Sequence, residues 1–575
     1  MKLRRYLKPY WLLSVLSPLF MLGEVLIDLA LPTLMSQIVD DGVLGGNMQL
    51  ILSTGLIMLV LAILGGLFGI GGNAFGASAA QCFGNDLRVD VFDRIIRLSP
   101  QQTDTFTTGS LVTRLTNDIT AVQDMVSMAL RMLIRGPMQF IGGIVMALAL
   151  DVRFGLVLVV AMPIQIALIG WFIFKGSPLF SRVQSKLDKV NAVVQENITG
   201  ARVVKAYVRE DYASGRFKRA NDDLVGTTLR VQKLMAILNP LMMIVMNLSV
   251  IAIIILGGYQ AQAQSMQVGQ IMAAITYITQ ILMTMMMISM MILNFTRAKA
   301  SGDRIREVLN TRPALTSGQE RLPRGGGSVS LRGVAFHYPN GAGEDVLRQI
   351  DLDVAPGETV AILGATGSGK TSLVGLIPRF YDATAGQVLL DGVDVKRYDL
   401  KNLREKVSYV LQKSELFSGT IAENIRWGKA DATNEQVRAA ARIAQADDFI
   451  QEFQNGYDTV ISEKGTSLSG GQKQRLSIAR AIVKQPEVLI FDDSTSALDL
   501  STEAKLQKAL REHLKGTTII MIAQRVASVM GADRIVVLDN GRIADSGTHA
   551  ELLERSALYQ DIYYSQIRKE GAEIA

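Results

Sequence analysis

"GETVAILGATGSGKTSLVGLI", residues 357–377, carries the reading of the whole chain. An apolar, strand-like run ends at Gly364-Ala365-Thr366-Gly367-Ser368-Gly369-Lys370-Thr371, and a helical stretch follows from Ser372. The spacing is G-x-x-x-x-G-K-[ST], with strand before and helix after. Glycines at these places let backbone N–H groups close around phosphates, Lys370 neutralises the terminal phosphates, and the Thr371 hydroxyl ligates Mg²⁺. Gly364 to Ser372 are therefore the candidate cradle for ATP or GTP. Farther along, "LIFDDSTSALD" (489–499) runs an apolar strand into Asp492 and Asp493. Asp492 supplies the second acid expected beside Mg²⁺. Asp493 stands where a base for hydrolysis usually sits, and being one methylene shorter than Glu it should fall roughly a bond length short of the attacking water.

The chain has 575 residues, 49% of them hydrophobic, and a mean hydropathy of +0.25, too apolar and too long for one soluble domain. The excess lies in residues 11–295, whereas 328–570 reads as soluble α/β chain. Crossing the hydrocarbon core takes about 20 apolar residues. Six windows qualify: 11–35, 50–75, 127–150, 154–174, 235–259 and 268–295. Lys2, Arg4, Arg5 and Lys8 precede the first; connections 36–49 and 260–267 hold no Lys or Arg, while 76–126 and 175–234 are rich in both. Basic segments stay inside, which predicts a multi-pass protein of the cytoplasmic membrane with both termini and the soluble part in the cytoplasm. The same bias accounts for the formal charge of +6, so no nucleic-acid partner is expected. "MKLRRYLKPYW" is followed by no small-residue cleavage site, which predicts a retained first span. Cys82, the single cysteine, allows neither an internal disulfide nor a cysteine metal site.

The two long cytoplasmic connections place apolar residues at helical spacing in "LRVDVFDRIIRLS" (87–99) and "VNAVVQENITGARVVKAYVRE" (190–210), and should extend the membrane helices beyond the bilayer. "TTGSLVTRLTND" (107–118) and "ENITGARVVKA" (196–206) suit short turning helices at the tips. Within the spans, Glu24 and Asp28 share one helical face, as do Arg131 and Arg135. Ionisable groups in lipid are costly, which leaves two readings: a structural acid–base pairing, or an acidic patch for cationic substrates. The thioethers of "MTMMMISMM" (283–291) suit varied apolar ligands, lipid contact and packing alike.

Between the phosphate loop and the acidic strand lies "LSGGQKQR" (468–475). Together with "LIFDD" and "SALD" these motifs resemble an ATP-binding cassette domain, and six spans ahead of one resemble a half-transporter of the exporter type. The resemblance implies a membrane all-α six-helix domain (1–310), a linker (311–327) and a cytosolic α/β P-loop NTPase domain (328–575). It implies ATP and Mg²⁺ as cofactors. Tyr338 in "FHYP" matches the aromatic that stacks on adenine, and Gln412 in "YVLQKSELFSGT" the glutamine that reaches Mg²⁺ and the water. In the family, residues matching Ser469, Gly470, Gly471 and Gln472 grip the γ-phosphate of a nucleotide held by the opposite subunit. Asp499 matches the loop linking the two sites. "VISEKGTS" (460–467) resembles the segment that touches the membrane-domain tips, departing in detail from the usual acidic-glycine pattern.

Two departures bear on catalysis. The family's usual catalytic Glu is Asp493, and its histidine after the last core strand is Gln524 in "IIMIAQR". A general base must lie within about 2.6 to 3.2 Å of its proton, so hydrolysis at this chain's own site should be weak while phosphate binding survives. The signature is complete, and the chain resembles the degenerate-site subunit of bacterial heterodimeric exporters. The expected partner is a second half-transporter with Glu and His at the matching positions. The expected cargo is an amphiphilic drug or lipid, moved outward from the cytoplasm or inner leaflet. A homodimeric exporter and a regulatory nucleotide sensor or gated channel are the alternatives.

Overall fold

The computed structural model describes residues 3–573 except 324, 339–343, 463, 464 and 466, and leaves out the side chains of 177, 288–290, 292–294, 296 and 567–573. The chain forms two compact units, Met1–Arg97 with Thr107–Arg312, and Leu98–Phe106 with Pro313–Ala575.

The first unit is helical. α1 (Trp11–Gln37) runs into a π-helical turn, Ile38–Leu44, and α2 (Met48–Ile96) follows. After α3 (Pro100–Phe106), which groups with the second unit, come α4 (Thr108–Thr113), α5 (Ile119–Leu150), α6 (Val152–Thr199), α7 (Ala201–Ala206), α8 (Glu210–Gln262) and α9 (Val268–Asn310). Six helical segments among the described residues are long and apolar enough to span a membrane. α2, α6 and α8 have 49, 48 and 53 residues. At 1.5 Å per residue these reach about 70–80 Å, against roughly 30 Å of hydrocarbon, so they continue well past the bilayer. α7 occupies the tip read at 196–206, after a break at Gly200. In the stretch read at 107–118, the short helix α4 and a π-helical turn lead into α5, and α3, which groups with the second unit, lies just before it.

Small residues seat α1 on α2. Gly65, Gly69, Gly72 and Gly76 recur along one face of α2, where an added Cβ would meet Ile27, Glu24, Met21 and Ser17. The room left by Gly69 admits the Glu24 carboxylate. Arg135 of α5 pairs with Glu24 at 3.0 Å and Asp28 at 3.7 Å, while Arg131 donates to Asn73 Oδ1 at 2.9 Å. Of the two readings of these charges, this geometry matches the acid–base pairing.

The second unit is α/β. Its elements are β1 (Val329–Phe336), β2 (Leu347–Val354), β3 (Thr359–Leu363), α10 (Lys370–Gly375), β4 (Ala385–Leu390), β5 (Val393–Asp394), α11 (Leu400–Lys406), β6 (Val407–Val410), β7 (Gly419–Thr420), α12 (Ile421–Arg426), α13 (Asn434–Ile443), α14 (Asp447–Gln451) and β8 (Val460–Ile461). Then come α15 (Gly470–Ile482), β9 (Val488–Asp492), α16 (Leu500–His513), β10 (Thr518–Ile522), β11 (Arg534–Asp539), β12 (Arg542–Gly547), α17 (His549–Arg555) and α18 (Ala557–Glu573). The central sheet has the order β12-β11-β3-β10-β9-β6, parallel except for β12 at its edge. Every residue of β9 and β10 is buried, as helices on both faces of a parallel sheet require. β2-β1-β4-β5 form a separate antiparallel sheet.

The stretch read as a linker is laid onto this unit. Gly318 N donates to Tyr398 O, Glu320 N to Arg397 O and Leu322 N to Asn402 Oδ1. Buried Lys406 donates to Pro323 O at 2.8 Å and pairs with Glu487 and Asp391 at 2.8 and 3.1 Å.

Candidate active site

Parallel strands end together, and their carboxyl ends are where open α/β sheets bind ligands. Ile522 pairs with both Ile362 and Asp492, so the residues just beyond β3, β9 and β10 meet at one edge. These are Gly364 onward, Asp493, and Gln524.

The phosphate loop is shaped by its glycines. Gly367 and Gly369 sit at φ +86° and +99°, a region that β-carbons disfavour, and a Cβ on Gly369 would lie 2.8 Å from Leu347 Cδ2 and 3.0 Å from Val346 O. Lys370 Nζ folds back to donate to Gly364 O and Ala365 O, both at 2.8 Å. Burial pushes its pKa below the usual lysine value, against the pull of Asp493 and Asp492. Ser368 Oγ is buried with no hydrogen-bond partner among the described residues. A charged ammonium satisfied only by carbonyls and an orphaned hydroxyl beside it fit a phosphate-binding loop. Thr366 and Ala365 complete the turn, Ala365 O accepting from Ser368 N.

The Mg²⁺ ligands expected from sequence also meet. Thr371 Oγ1 donates to Asp492 Oδ1 at 2.7 Å, and Tyr409 OH donates to Asp492 Oδ2 at 2.8 Å. Asp492 is only 3% exposed. A buried carboxylate with a hydroxyl on each oxygen, and none of these donors cationic, is a donor set suited to a hard divalent cation. Tyr409 was not a candidate from sequence. It sits on β6 opposite Ile490, and only the parallel pairing of β6 with β9 brings it to Asp492.

Asp493, 6% exposed and at φ +50°, is the hub. Gln412 Nε2 donates to its Oδ2 at 3.1 Å and Gln524 Nε2 to the same oxygen at 2.6 Å. Burial raises the Asp493 carboxyl above its usual pKa; these two amides and Lys370 oppose the rise, and Asp492 adds to it. The three histidines lie elsewhere: His337 Nδ1 is 3.4 Å from Asp345, His549 Nδ1 is 2.6 Å from Tyr559 OH, and His513 ends α16.

Tyr338 hydrogen-bonds through its hydroxyl to Ser372 Oγ at 2.9 Å, and its ring stands edge-on to Phe336 and Tyr381. The signature forms the start of α15: Ser469 Oγ accepts from Gln472 N while Gln472 Oε1 accepts from Ser469 N, leaving Gly470 and Gly471 as the first turn. This reciprocal pair caps a 13-residue helix and presents its positive end. Asp499 caps α16 through Thr502 N, and the Ser501 hydroxyl and Thr502 hold its carboxyl well below the usual range. In 460–467, Val460 and Ile461 form β8, while Glu463, Lys464 and Thr466 lie outside the described residues.

Residues 15–285 match the family described as ABC transporter transmembrane region, and residues 347–496 the family described as ABC transporter. The chain is 41% identical over 573 residues to the uncharacterized ABC transporter ATP-binding protein YfiB of Bacillus subtilis, covering 99% of each. It is 32% identical over 553 residues to the ATP-dependent lipid A-core flippase of Syntrophus aciditrophicus, covering 95% of this chain and 91% of that one. A solved bacterial Atm1-family ABC exporter with ATP bound superposes with a TM-score of 0.79 at 27% identity, over 98% of each chain. With six membrane helices joined to an α/β unit whose phosphate loop, acidic strand end and signature are all in place, the chain belongs to the ATP-binding cassette transporters and is a half-transporter of the exporter type, a multi-pass membrane protein with a cytosolic ATPase domain.

Proposed function

We propose that this chain is one subunit of a heterodimeric exporter of the cytoplasmic membrane, moving amphiphilic compounds outward, and that its own nucleotide site holds ATP more than it cleaves it. One observation supports this above the rest: at Asp493, which stands in the place of the catalytic base, one carboxylate oxygen accepts from two glutamine amides, those of Gln412 and Gln524. A primary amide takes up no proton near neutral pH, so Gln524 has none to relay. Gly364 to Ser372 would hold the phosphates and Tyr338 the base. Thr371, Asp492 and Gln412 would hold Mg²⁺, which when bound offsets charge on the β- and γ-phosphates. With Gln412 turned to Mg²⁺, the Gln524 amide would still hold Asp493 Oδ2.

Ser469, Gly470, Gly471 and Gln472 are ready-made for the facing nucleotide of a partner that brings Glu and His, with Asp499 linking the two sites. Binding of two nucleotides closes the cassettes, and a switch from 1:99 to 99:1 between inward- and outward-facing states takes about 5.5 kcal/mol. Likeness to lipid A-core flippases supports a lipid-like cargo, drugs of similar amphiphilicity included.

Phosphate release by the purified full-length chain, alone and with a second half-transporter, tests the reading. Slow release alone and fast release in the pair are expected, with ATP-dependent accumulation of a lipid or dye in sealed vesicles. Brisk hydrolysis by the single polypeptide would falsify the assignment of a holding site.

A further inference from the structure

The loop that carries Gln524 is gripped from behind by the C-terminal helix. Gln566, on α18, donates from Nε2 to Gln524 O at 2.7 Å and accepts through Oε1 from Val526 N at 2.8 Å. One side-chain amide thus spends its donor and its acceptor on the two backbone groups flanking Arg525. The match fixes which end of the amide faces which residue. A third tie comes from α16, where Gln507 Nε2 donates to Ser528 O at 2.6 Å. Ala523 and Val526 are buried, so the segment has little freedom once these bonds form.

α18 is a firm base for such a grip. Tyr559 is fully buried, its hydroxyl shares a hydrogen with His549 Nδ1 at 2.6 Å, and Leu558, Ile562 and Tyr563 pack on the core of the nucleotide unit. From Tyr559 the path is short: α18, Gln566, the Gln524 backbone, the Gln524 amide, the Asp493 carboxylate.

We propose that Gln566 is a positioning residue for the γ-phosphate end of this chain's nucleotide site, acting through Gln524. It touches neither nucleotide nor Asp493. Its role is to set the backbone from which Gln524 reaches Asp493 Oδ2, and by that route the C-terminal helix governs how tightly the site is closed behind bound ATP. This rests on the reading of Asp493 and Gln524 as the γ-phosphate end of the pocket.

The test uses the full-length chain, Gln566→Met, which keeps the length and packing of the side chain and removes both hydrogen bonds, and a non-hydrolysable fluorescent ATP analogue. Gln566→Met should speed hydrogen exchange across 523–528 and release of the analogue by about tenfold, the scale of two lost hydrogen bonds, while lowering the unfolding midpoint by no more than about a few degrees. Gln566→Glu, which keeps the acceptor for Val526 N and loses the donor to Gln524 O, should fall between. In a Gln524→Ala background, Gln566→Met should leave release unaltered, because its route to the phosphate is gone. Release at the wild-type rate in Gln566→Met, or equal acceleration with and without Gln524, overturns the proposal. The analogue is not cleaved, so brisk ATPase by the chain alone would remove the holding-site reading and leave this result standing on its own.

Discussion

At Asp493 one carboxylate oxygen receives two amide hydrogens, and the proposed holding site rests on that meeting. Hydrogen bonds to the ionised form oppose the rise that burial gives this carboxyl, and on the proposed reading the shorter side chain would hold the oxygen back. Restoring reach and a proton relay together, Asp493→Glu with Gln524→His, should raise phosphate release in the assembled transporter by about tenfold or more, general acid–base groups being worth at least that. Unchanged turnover in the double variant would mean that hydrolysis here is limited elsewhere. The same residue gives a pH signature. Burial raises its carboxyl pKa in the folded chain, so the folded state holds this proton more tightly than the unfolded one. Native stability is therefore lost as pH rises from the ordinary value, about 3.9, through the raised one. Asp493→Asn cannot ionise. Without nucleotide it should unfold at a higher temperature than the wild type at pH 7, the gap closing as pH is lowered toward about 4; a gap that widens on acidification would contradict the burial argument.

Among elements, the linker is the one whose place is set most by residues distant in sequence. "TRPALTSGQERLPRGGG" is rich in Pro, Gly and polar residues, and its backbone bonds to Tyr398, Arg397 and Asn402, while Gly327 and Ser328 donate to Asp391. Lys406, 2% exposed, neutralises Asp391 and Glu487 beneath it. Composition reports how little apolar surface a segment brings, and says nothing of polar partners supplied by distant residues. Lys406→Met should cost about 3–5 kcal/mol by leaving two carboxylates facing each other without a cation. Chemical denaturation of the full-length chain reads this directly, and a loss below about 1 kcal/mol, the scale of an exposed pair, would show the cluster to be solvated. The apolar windows became helices as read, since length and hydropathy are properties of the segment itself.

For the whole molecule, the proposed pairing puts the signature to work away from the chain that carries it. Ser469→Ala removes a cap hydrogen bond, worth about 1 kcal/mol to the helix, and the hydroxyl offered to the facing nucleotide. In the assembled pair it should slow turnover at the partner's site by about ten- to hundredfold, the value of a hydrogen bond to a charged group. ATP binding at this chain's own phosphate loop should change far less. Equal loss at both sites would point to a general collapse of the cassette. In the proposed pair, closure of two nucleotides between cassettes would make this trans effect the counterpart of a weak site in cis.

The sequence by itself determined the phosphate cradle, the acidic strand end, the signature and the six spans, because each depends on spacing, backbone freedom or apolar length within one segment. It also named Gln412, Asp493 and Gln524 singly. Only the tertiary structure decided that both glutamines converge on one oxygen, that Tyr409 closes on Asp492, that Arg135 answers both Glu24 and Asp28, and that Gln566 holds the Gln524 loop. These are lateral meetings. Strand order and helix rotation, fixed by the packing of segments far apart in the chain, choose such neighbours, and no local pattern of residues encodes them.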